Sequence, residues 1–572
     1  MPVTPTYPGV YIEEIPSGVR TITGVATSIT AFVGRALRGE TDRPVTINNF
    51  GDFQRNFGGL WGESSLGFAV RDFFLNGGGQ AIIVRVFEPE SENDSDSEED
   101  SDSADAAVDL AGKATITYEA ESLTFVAASP GKWGNYLKVS IDKDISADLA
   151  IRFGLVEPLR EEGTAKTREE LLAESKGVLF NLTVEDTKTG LSEQFRNVSI
   201  AESPRRLDRV LKNGSDLLRL LTPLPITPLT PPVPATPLVP PPASDSSADG
   251  DEDTPIVLTA SGGDDGDFLT KETVKGDEDK KEGMYALKDA DIFNILCIPP
   301  YYREDEYDSK DVKGLMEEAA KFCQDSRAFL IVNPPPGWKS KTDAKDGFAT
   351  DVTTRSNHAA LFFPMLRQPN PLRDNQLEDF APCGAVAGIF ARTDAQRGVW
   401  KAPAGLLDGR LVGVPQLSVP LTNDENGELN PLGINCLRTL PPAGRVVWGA
   451  RTLEGDDRLA SEWKYIPVRR LALFIEESLY RGTQWAVFEP NDEPLWAQLR
   501  LNIGAFMQNL FRQGAFQGSS PKDAYLVKCD SETTTQNDIN LGIVNVTVGF
   551  APLKPAEFVI LRIQQLAGQI DT

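Results

Sequence analysis

The sequence predicts a multidomain protein of mixed α/β and α+β architecture. Its 572 residues exceed what one ordinary hydrophobic core organises, so three or more domains are expected. Two low-complexity runs, at residues 88–106 and 222–283, divide the chain. Between residues 284 and 440, strand-like and helix-like apolar patterns alternate with short links, which is typical of a parallel sheet. These observations predict a parallel-sheet α/β middle domain flanked by smaller folded regions.

Residues 1–20 are predicted to form an N-terminal arm. A Pro-Gly turn precedes a short extended run that contains Val10, Tyr11, Ile12 and Glu13. Such a run at a chain end has two interpretations. It is either an edge strand of its own domain or a strand that is added to the sheet of a neighbouring subunit. The residues alone leave both open.

Residues 21–87 predict the N-terminal part of a folded core, with a strand, a short helix, a second helix and a buried strand in order. A run of three glycines, at residues 77–79, ends the second helix. A phosphate-binding loop needs the opposite order, strand then loop then helix, so that backbone amides point at the phosphate. The triple glycine is therefore interpreted as a turn.

Two linkers flank the next folded region. Residues 88–106 contain ten acidic residues before Ala106 and no basic one, and they lack the spacing and the central glycine of a calcium-binding EF-hand loop. Residues 107–221 predict a β-rich domain, with two strands around a Pro-Gly turn, a β-hairpin and a short helix. Residues 222–283 are Pro-rich and then acidic, and they predict a second low-complexity linker that contains a brief strand in the run "PIVLTASGGDDG".

Residues 441–552 predict a C-terminal α+β domain. Its expected elements are a strand over residues 445–451, a helix from Pro467, a short buried strand over residues 485–488, and a helix that follows Asp492 as N-cap and ends near Gly514. Residues 553–572 predict a C-terminal arm that is apolar on both faces, as in a strand within a sheet. Its apolar residues are Phe558, Val559, Ile560, Leu561 and Ile563.

The composition excludes several classes of function. A formal net charge of −27 argues against binding nucleic acid or an anionic membrane surface. The five cysteines form no CxxC pair and lie in or beside apolar runs, as expected for reduced, buried thiols. The first residues lack the pattern of a signal peptide, and no apolar run approaches the ~20 residues of a membrane span. We therefore expect a protein that is made in the cytoplasm and is not inserted in a membrane.

No catalytic, cofactor-binding or metal-binding residue is expected. The chain has one histidine, His358, at the head of a predicted strand, and no nucleophile turn of a hydrolase. One histidine and scattered cysteines do not make a transition-metal site. The sequence predicts a protein without enzymatic activity.

Several motifs resemble those of contractile tail sheath proteins, the outer-sleeve subunits of contractile phage tails and bacterial injection systems. The similar runs are "YPGVYIEE" at the N-terminus, "GRVVWGARTL", "YIPVRRL" and "VFEPND" in the C-terminal domain, and "APLKPAEFVI" near the C-terminus. The resemblance covers residues 1–87 and 284–572, and it covers the region between them more weakly.

This resemblance implies a core assembled from both chain ends, a subtilisin-like but non-catalytic middle domain, and an inserted outer domain. It also implies a subunit of stacked hexameric rings around an inner tube, which donates both arms as strands to neighbouring subunits and contracts to drive the tube through a target envelope. The expected partners are other copies of the chain, an inner tube protein, and baseplate and terminal cap proteins. The helix after Asp492 is the expected tube-facing element, through Trp496 and Arg500.

Two alternatives remain at this point. The same arms would also suit a static polymerising coat or surface-layer protein, and a hydrolase on the α/β domain is a remote third. The resemblance does not separate a phage tail from a bacterial injection particle, although the overall match favours the latter.

Overall fold

The computed structural model describes residues 20–90, 110–118, 123–160, 162–221, 224, 255–301, 309–352 and 354–563, with the backbone alone for 309–313. The residues Val10, Tyr11, Ile12 and Glu13 of the predicted N-terminal arm lie outside this part. So do residues 91–106 of the acidic linker and 225–254 of the Pro-rich linker.

The strands and helices are numbered in chain order. The strands are β1 (Thr30–Gly34), β2 (Val45–Ile47), β3 (Ala81–Arg85), β4 (Thr115–Tyr118), β5 (Leu123–Ala127), β6 (Leu137–Asp142), β7 (Phe180–Asp186), β8 (Leu191–Val198), β9 (Leu218–Leu220), β10 (Ile256–Thr259), β11 (Ile295–Cys297), β12 (Phe329–Val332), β13 (Ala359–Phe363), β14 (Leu366–Asn370), β15 (Gln376–Phe380), β16 (Gln416–Leu417), β17 (Ile434–Leu440), β18 (Gly444–Val447), β19 (Tyr525–Lys528) and β20 (Thr547–Phe550). The helices are α1 (Phe50–Phe57), α2 (Leu66–Leu75), α3 (Ala147–Arg152), α4 (Arg168–Val178), α5 (Leu207–Gly214), α6 (Lys271–Lys275), α7 (Ser309–Asp325), α8 (Lys341–Asp351), α9 (Cys383–Arg397), α10 (Asn423–Leu429), α11 (Ile466–Thr483), α12 (Glu493–Arg512), α13 (Pro521–Ala524) and α14 (Gln536–Asn540).

An eight-stranded main sheet organises the fold, in the order β18-β17-β13-β12-β11-β1-β3-β2. The six inner strands are parallel, and the edge strands β18 and β2 are antiparallel to their neighbours. The predicted β-α-β unit is present as β11, α7 and β12. The parallel sheet expected within residues 284–440 therefore exists, but it is larger than the sequence predicted.

The main sheet revises the predicted domain division. Strand β1, from the predicted N-terminal part of the core, pairs directly with β11 of the predicted middle domain, with Thr30 opposite Ile295. The boundary placed after residue 440 falls between β17 and β18, which pair with each other. Local sequence patterns do not reveal the pairing of β1 with β11, because these strands are about 265 residues apart.

Helices cover both faces of the main sheet. In β1, Ala31 and Val33 enter one core and Phe32 enters the other, as the two-residue period of a strand requires. The first core contains residues of α6, α7 and α8, and the second contains residues of α1, α2 and α9. All five residues of β1, β3 and β13 are buried, which explains why these strands are continuous apolar runs rather than alternating ones.

Two glycines bring α2 and α9 into close contact. A Cβ atom at Gly384 would lie 2.0 Å from the carbonyl oxygen of Ala69, and one at Gly388 would lie 2.4 Å from that of Phe73. These glycines are one helical turn apart, so the same face of α9 approaches the backbone of α2 twice. The close approach explains a glycine-rich helix within a buried core.

The substitution Gly384→Ala is expected to lower the free energy of unfolding by about 1–3 kcal/mol, because the added methyl group overpacks the α2–α9 contact. Gly504→Ala is the matched control, since Gly504 is also helical and no atom lies within 4 Å of its would-be Cβ. There the change should be neutral or stabilising by up to ~1 kcal/mol. Guanidinium unfolding followed by far-UV circular dichroism measures both. Equal midpoints for the two variants would contradict the packing argument.

A second unit, within residues 110–260, has its own core and two small sheets. Their strand orders are β4-β5-β9 and β10-β6-β7-β8, and their shared core includes Tyr118, Phe125 and Trp133. The predicted hairpin is present as β7 and β8, and the short helix as α5. The two strands predicted around the Pro-Gly turn, β5 and β6, lie in different sheets, because the 3-10 helix Lys132–Tyr136 with its buried Trp133 redirects the chain.

The second unit leaves and rejoins the main body at one place. The backbone N–H of Asp267 donates to the carbonyl oxygen of Glu88 over 3.0 Å. Beside it, the buried guanidinium of Arg85 donates to the carbonyl oxygens of Ala36, Gly39 and Pro130 at 3.0, 2.7 and 2.7 Å. Burial lowers the pKa of Arg85 to about 9. These contacts tie the second unit to the end of β3.

The predicted linker over residues 222–283 is too long at its C-terminal end. Residues 256–259 form β10, which pairs with β6, and α6 follows at residues 271–275. Leu269 and Val274 are buried in the first core of the main sheet. The brief strand predicted in this region is therefore present as β10, whereas α6 was missed because the charged residues around it hide its short apolar pattern.

The C-terminal unit consists of α11, α12 and the hairpin β19–β20. Helix α11 joins it to the main sheet, since Leu473 packs in the second core and Leu471 packs against α12. The predicted helices from Pro467 and after Asp492 are both present. The predicted strand over residues 485–488 is wrong, because this run is a 3-10 turn followed by the fully exposed Phe488. Four apolar residues between two helices had no strand to pair with.

Candidate assembly site

The C-terminal arm forms neither helix nor strand over residues 553–563. Its five large apolar side chains are strongly exposed. The exposed fractions are 72% for Phe558, 78% for Val559, 79% for Ile560, 81% for Leu561 and 94% for Ile563. Consecutive exposed apolar residues are costly in water, so this segment is suited to being covered by another surface, such as the sheet of a neighbouring subunit.

The arm is anchored at Glu557, which we call the arm root. Arg451, whose side chain is only 1% exposed, donates to it from Nε to Oε1 over 2.7 Å and from Nη2 to Oε2 over 2.8 Å. Asn430 Nδ2 donates to Oε1 over 2.7 Å, and the Tyr465 hydroxyl donates to Oε2 over 3.0 Å. Both carboxylate oxygens are thus fully engaged.

Electrostatics favour the ionised form of Glu557. Burial alone would raise the pKa of this carboxyl group, but the hydrogen bonds from Arg451 and Asn430 outweigh it and hold the pKa below its ordinary value. Burial and the nearby carboxylate raise the pKa of Tyr465 to about 12, so its hydroxyl remains a donor at neutral pH. The arm root is therefore a charged bidentate pair across the physiological pH range.

The N-terminal segment also crosses the C-terminal unit. The backbone N–H of Arg20 donates to Asn502 Oδ1 over 3.0 Å, and its guanidinium lies 4.3 Å from the centre of the Trp485 ring. Ile22 is buried in the core of the C-terminal unit, and the N–H of Val25 donates to Ser478 Oγ over 3.2 Å. The described part of the chain therefore begins in the same unit that leads into the C-terminal arm.

The hairpin β19–β20 offers open strand edges in that unit. Among the described residues, neither strand pairs with a third. Val527 and Val548 pack against the core of α11 and α12, whereas Leu526 on the opposite face is 56% exposed. A two-stranded sheet is marginal alone, and its open N–H and C=O groups are a template for an added strand.

The edge of the main sheet at β18 is closed by contrast. The loop at residues 405–411 covers it through three backbone hydrogen bonds: Gly405 N–H to Val447 O at 3.0 Å, Val447 N–H to Gly409 O at 2.8 Å, and Leu411 N–H to Arg445 O at 2.9 Å. The same chain thus protects one edge and leaves the hairpin open.

The two predicted tube-facing residues differ in exposure. Trp496 is only 6% exposed, packs in a core with Leu495, Leu499 and Cys529, and donates from Nε1 to Asn491 Oδ1 over 2.9 Å. Arg500 is 33% exposed and donates to the carbonyl oxygen of Cys529, so its assignment to a tube-facing surface stays a prediction. Sequence reasoning took a large aromatic residue for a contact residue when it is a core residue. The exposed face of α12 carries Leu501 instead, at 53% exposed.

The arm root and the open hairpin were missed at the sequence level. Two features pointed to the root: Arg451 is a lone cation after an apolar strand, and Glu557 is a lone anion in the apolar arm. Opposite lone charges in apolar runs suggest a buried pair, but only the fold brings together residues that are 106 positions apart.

The described residues contain no arrangement suited to catalysis or metal binding. His358 is 5% exposed and its Nδ1 lies 3.1 Å from the carbonyl oxygen of Ala328, while burial and the nearby Arg469 charge lower its pKa. No group of three or more metal-ligating side chains occurs in the described ranges. All five cysteines are buried and unpaired by disulfides. None of the helices in the described part of the chain has the length and apolar character needed to cross a bilayer.

Comparison with known proteins identifies two domains. The phage tail sheath protein central domain matches residues 274–453, and the phage tail sheath C-terminal domain matches residues 460–565, which together make half of the chain. The first match runs from α6 to the end of the Arg451 segment, and the second holds the C-terminal unit and most of the described arm.

Similar sequences and solved structures agree with these domains. The tail sheath protein of Vibrio phage KVP40 is 25% identical over 238 residues, which cover 41% of this chain and 34% of that protein. The tail sheath protein of Enterobacteria phage T4 is 24% identical over 199 residues, covering 34% and 29%. The matched part thus spans about a third of the length of these curated relatives.

The fold matches along nearly the whole chain. The sheath of an extracellular contractile injection system in its contracted state aligns with a TM-score of 0.54 and 21% identity over 99% of each chain. The sheath tail protein of Listeria innocua aligns with a TM-score of 0.54 and 13% identity, covering 93% of this chain and 96% of that one. With both sheath domains present in sequence and the sheath architecture present in structure, the chain belongs to the family of contractile tail sheath proteins, which are structural proteins and not enzymes.

Proposed function

We propose that the chain is the subunit of a contractile sheath that polymerises as stacked hexameric rings around an inner tube. Its partners are then other copies of itself, the inner tube protein, and the baseplate and terminal cap proteins at the ends. The particle, a phage tail or a phage-tail-like injection system, assembles in the cytoplasm. The main support for this proposal is the exposed, apolar C-terminal arm, which is anchored at Glu557 and follows a hairpin with open edges.

The arm is suited to be a donated strand. When it enters a sheet, Val559, Leu561 and Ile563 would face one side and Phe558 and Ile560 the other. Burying each of these side chains contributes roughly 1.5–3 kcal/mol, and backbone hydrogen bonds set the register. From the arm root to Ile563 an extended chain reaches about 20 Å, which is the scale of a neighbouring subunit's surface.

The hairpin β19–β20 is the proposed acceptor of donated strands. It has two open edges, so it can take one strand on each side and become a four-stranded sheet. The exposed Leu526 then gains apolar neighbours from the outer face of the donated strand. The C-terminal arm of one neighbour and the N-terminal arm of another are the two candidate strands.

Contraction requires subunits that can move relative to one another without separating. Donated strands keep subunits connected while the bodies that carry the main sheet rotate and slide. The extended sheath is then a metastable state, and contacts formed between bodies on contraction supply the free energy that drives the tube through the target envelope. Two tube diameters from one preparation would separate this mechanism from a static coat.

Deletion of residues 558–572 is expected to abolish tube formation, and deletion of residues 1–19 to do the same. Full-length protein should form hollow helical tubes in negative-stain micrographs, and each truncation only monomers or loose rings. Removal of residues 228–242 from the Pro-rich segment, a deletion of the same length as the C-terminal one, is the control and should leave tubes intact.

Circular dichroism and thermal unfolding must show that each truncated chain remains folded. Tubes of normal diameter from either arm deletion would contradict the strand-donation proposal.

A further inference from the structure

The C-terminal arm changes character at a single peptide bond. The Glu557 side chain is 18% exposed and saturated with hydrogen bonds, whereas the next side chain, Phe558, is 72% exposed. Before the root, the last backbone bridge joins Phe516 to Pro552. Between Pro552 and Phe558, Glu557 supplies the strong attachment to the body.

The residue that holds Glu557 is itself held on every side. Arg451 Nη1 donates to the carbonyl oxygens of Asn430 and Gly455 at 3.0 and 3.2 Å and to Asp457 Oδ1 at 3.0 Å. With Nε and Nη2 on Glu557, each nitrogen of the guanidinium has a partner. A side chain so fully bonded cannot swing with the arm.

The Arg451 backbone is fixed to the main sheet at β17, the strand beside the edge strand β18. Asn435, a fully buried residue of β17, accepts the N–H of Arg451 at Oδ1 over 2.7 Å and donates from Nδ2 to its carbonyl oxygen over 2.7 Å. Asn435 Nδ2 also donates to the carbonyl oxygen of Leu361 in β13 over 3.0 Å. A continuous chain of hydrogen bonds thus runs from the arm to two inner strands of the main sheet, β17 and β13.

We propose that Glu557 is a positioning residue that clamps the C-terminal arm to the main sheet of its own subunit. This inference rests on the proposed function. The clamp fixes the point from which the donated strand departs, and tension on the donated strand passes through Glu557 and Arg451 into β17 rather than into the hairpin. Without the clamp the tether begins near Pro552, five residues earlier, which adds about 17 Å of free chain.

A longer free tether lowers the effective concentration of the arm at its acceptor. It also lets the arm leave in many directions, so ordering it on assembly costs more conformational entropy. The clamp therefore favours assembly without contacting the neighbouring subunit. Its removal is expected to weaken polymerisation although all apolar residues of the arm remain.

The test compares Glu557→Gln with Glu170→Gln. Glu170 is the matched control because Arg160 holds its carboxylate bidentately, at 2.8 and 2.7 Å, on the surface of the second unit. Tyr465→Phe removes one hydrogen bond from the arm root and keeps the ion pair, so it serves as a milder variant that folds.

Arm motion is read by a nitroxide spin label on Val559→Cys or Ile563→Cys. The five native cysteines are buried, so the nitroxide reagent should label the introduced cysteine selectively. In the parent chain the label at 559 should move much more slowly than the label at 563. Glu557→Gln should bring the mobility at 559 close to that at 563, with a smaller change for Tyr465→Phe and none for Glu170→Gln.

Assembly is read by the protein concentration at which tubes first sediment. Glu557→Gln should raise it about tenfold or more, because a charge-assisted pair is replaced by a weaker neutral contact. Unchanged mobility at position 559 in Glu557→Gln, or an unchanged critical concentration, would overturn the clamp. Failure of the proposed function has a different signature: deletion of residues 558–572 would leave tubes intact whatever the label reports.

Discussion

Replacing Asp394 by alanine is expected to lower the free energy of unfolding by about 3–5 kcal/mol, because it leaves the buried charge of Arg470 without its partner. Both side chains are 3% exposed, and they bond through Nη1–Oδ1 at 2.9 Å and Nη2–Oδ2 at 2.6 Å. Arg470 also donates to the carbonyl oxygen of Thr27 over 2.8 Å and lies over the Phe390 ring. The pair joins α9 of the main body to α11 of the C-terminal unit, so its loss should loosen that junction first.

Guanidinium unfolding of the monomer, followed by circular dichroism, measures the loss. Glu170→Ala is the control, since the Arg160–Glu170 pair is exposed and its loss should shift the unfolding midpoint far less. The double change Asp394→Leu with Arg470→Met should recover most of the stability, because burying two apolar side chains avoids the unpaired charge. A loss of less than 1 kcal/mol in Asp394→Ala would show that solvent reaches the junction.

Leu561→Asp is expected to abolish tube formation while leaving the monomer as stable as the parent chain. The side chain is 81% exposed in the free subunit, so its change should alter the free energy of unfolding by no more than about 0.5 kcal/mol. In a donated strand the same position would be enclosed by a sheet, where an unpaired carboxylate costs several kcal/mol. The protein concentration at which tubes first form should rise at least 100-fold, as measured by sedimentation and negative-stain microscopy.

Leu159→Asp is the matched control for this prediction. Leu159 is also an exposed leucine, at 51%, but it lies in the second unit and away from the arm. Its variant should form tubes at the parent concentration. Tubes from Leu561→Asp would mean that the arm stays in water after assembly, and the proposed role of its apolar residues would be wrong.

The sequence predicted most elements whose cause is local. Apolar runs predicted the parallel strands β1, β3, β12 and β13, and helical spacing after Pro467 and Asp492 predicted α11 and α12. The non-enzymatic character followed from a single histidine and agrees with the family. Residues 485–488 show the limit of local patterns. A short apolar run has the composition of a strand, but here it forms a turn between two helices.

What depends on contacts between distant residues could not be predicted. The pairing of β1 with β11 crosses 265 positions, and the same separation joins Ile29 to Asn294 through a hydrogen bond. The role of Trp496 was mistaken because a helix has two apolar-looking faces until its neighbours are known. The assignments of Val10, Tyr11, Ile12 and Glu13 to a donated arm stay predictions, since those residues lie outside the described ranges.

The hydrogen bond between Asp267 and Glu88 has a consequence for how such a subunit can change over time. The stretch from residue 89 to residue 266 leaves the main body and returns to it at this hydrogen bond. It is therefore a closed appendage of the main body. The main sheet, the arm root and the hairpin are built without any residue of this stretch, so a longer, shorter or unrelated appendage between the same two ends would leave them as they are. We therefore expect that this stretch can be lengthened, shortened or replaced by a foreign domain while the main sheet still forms.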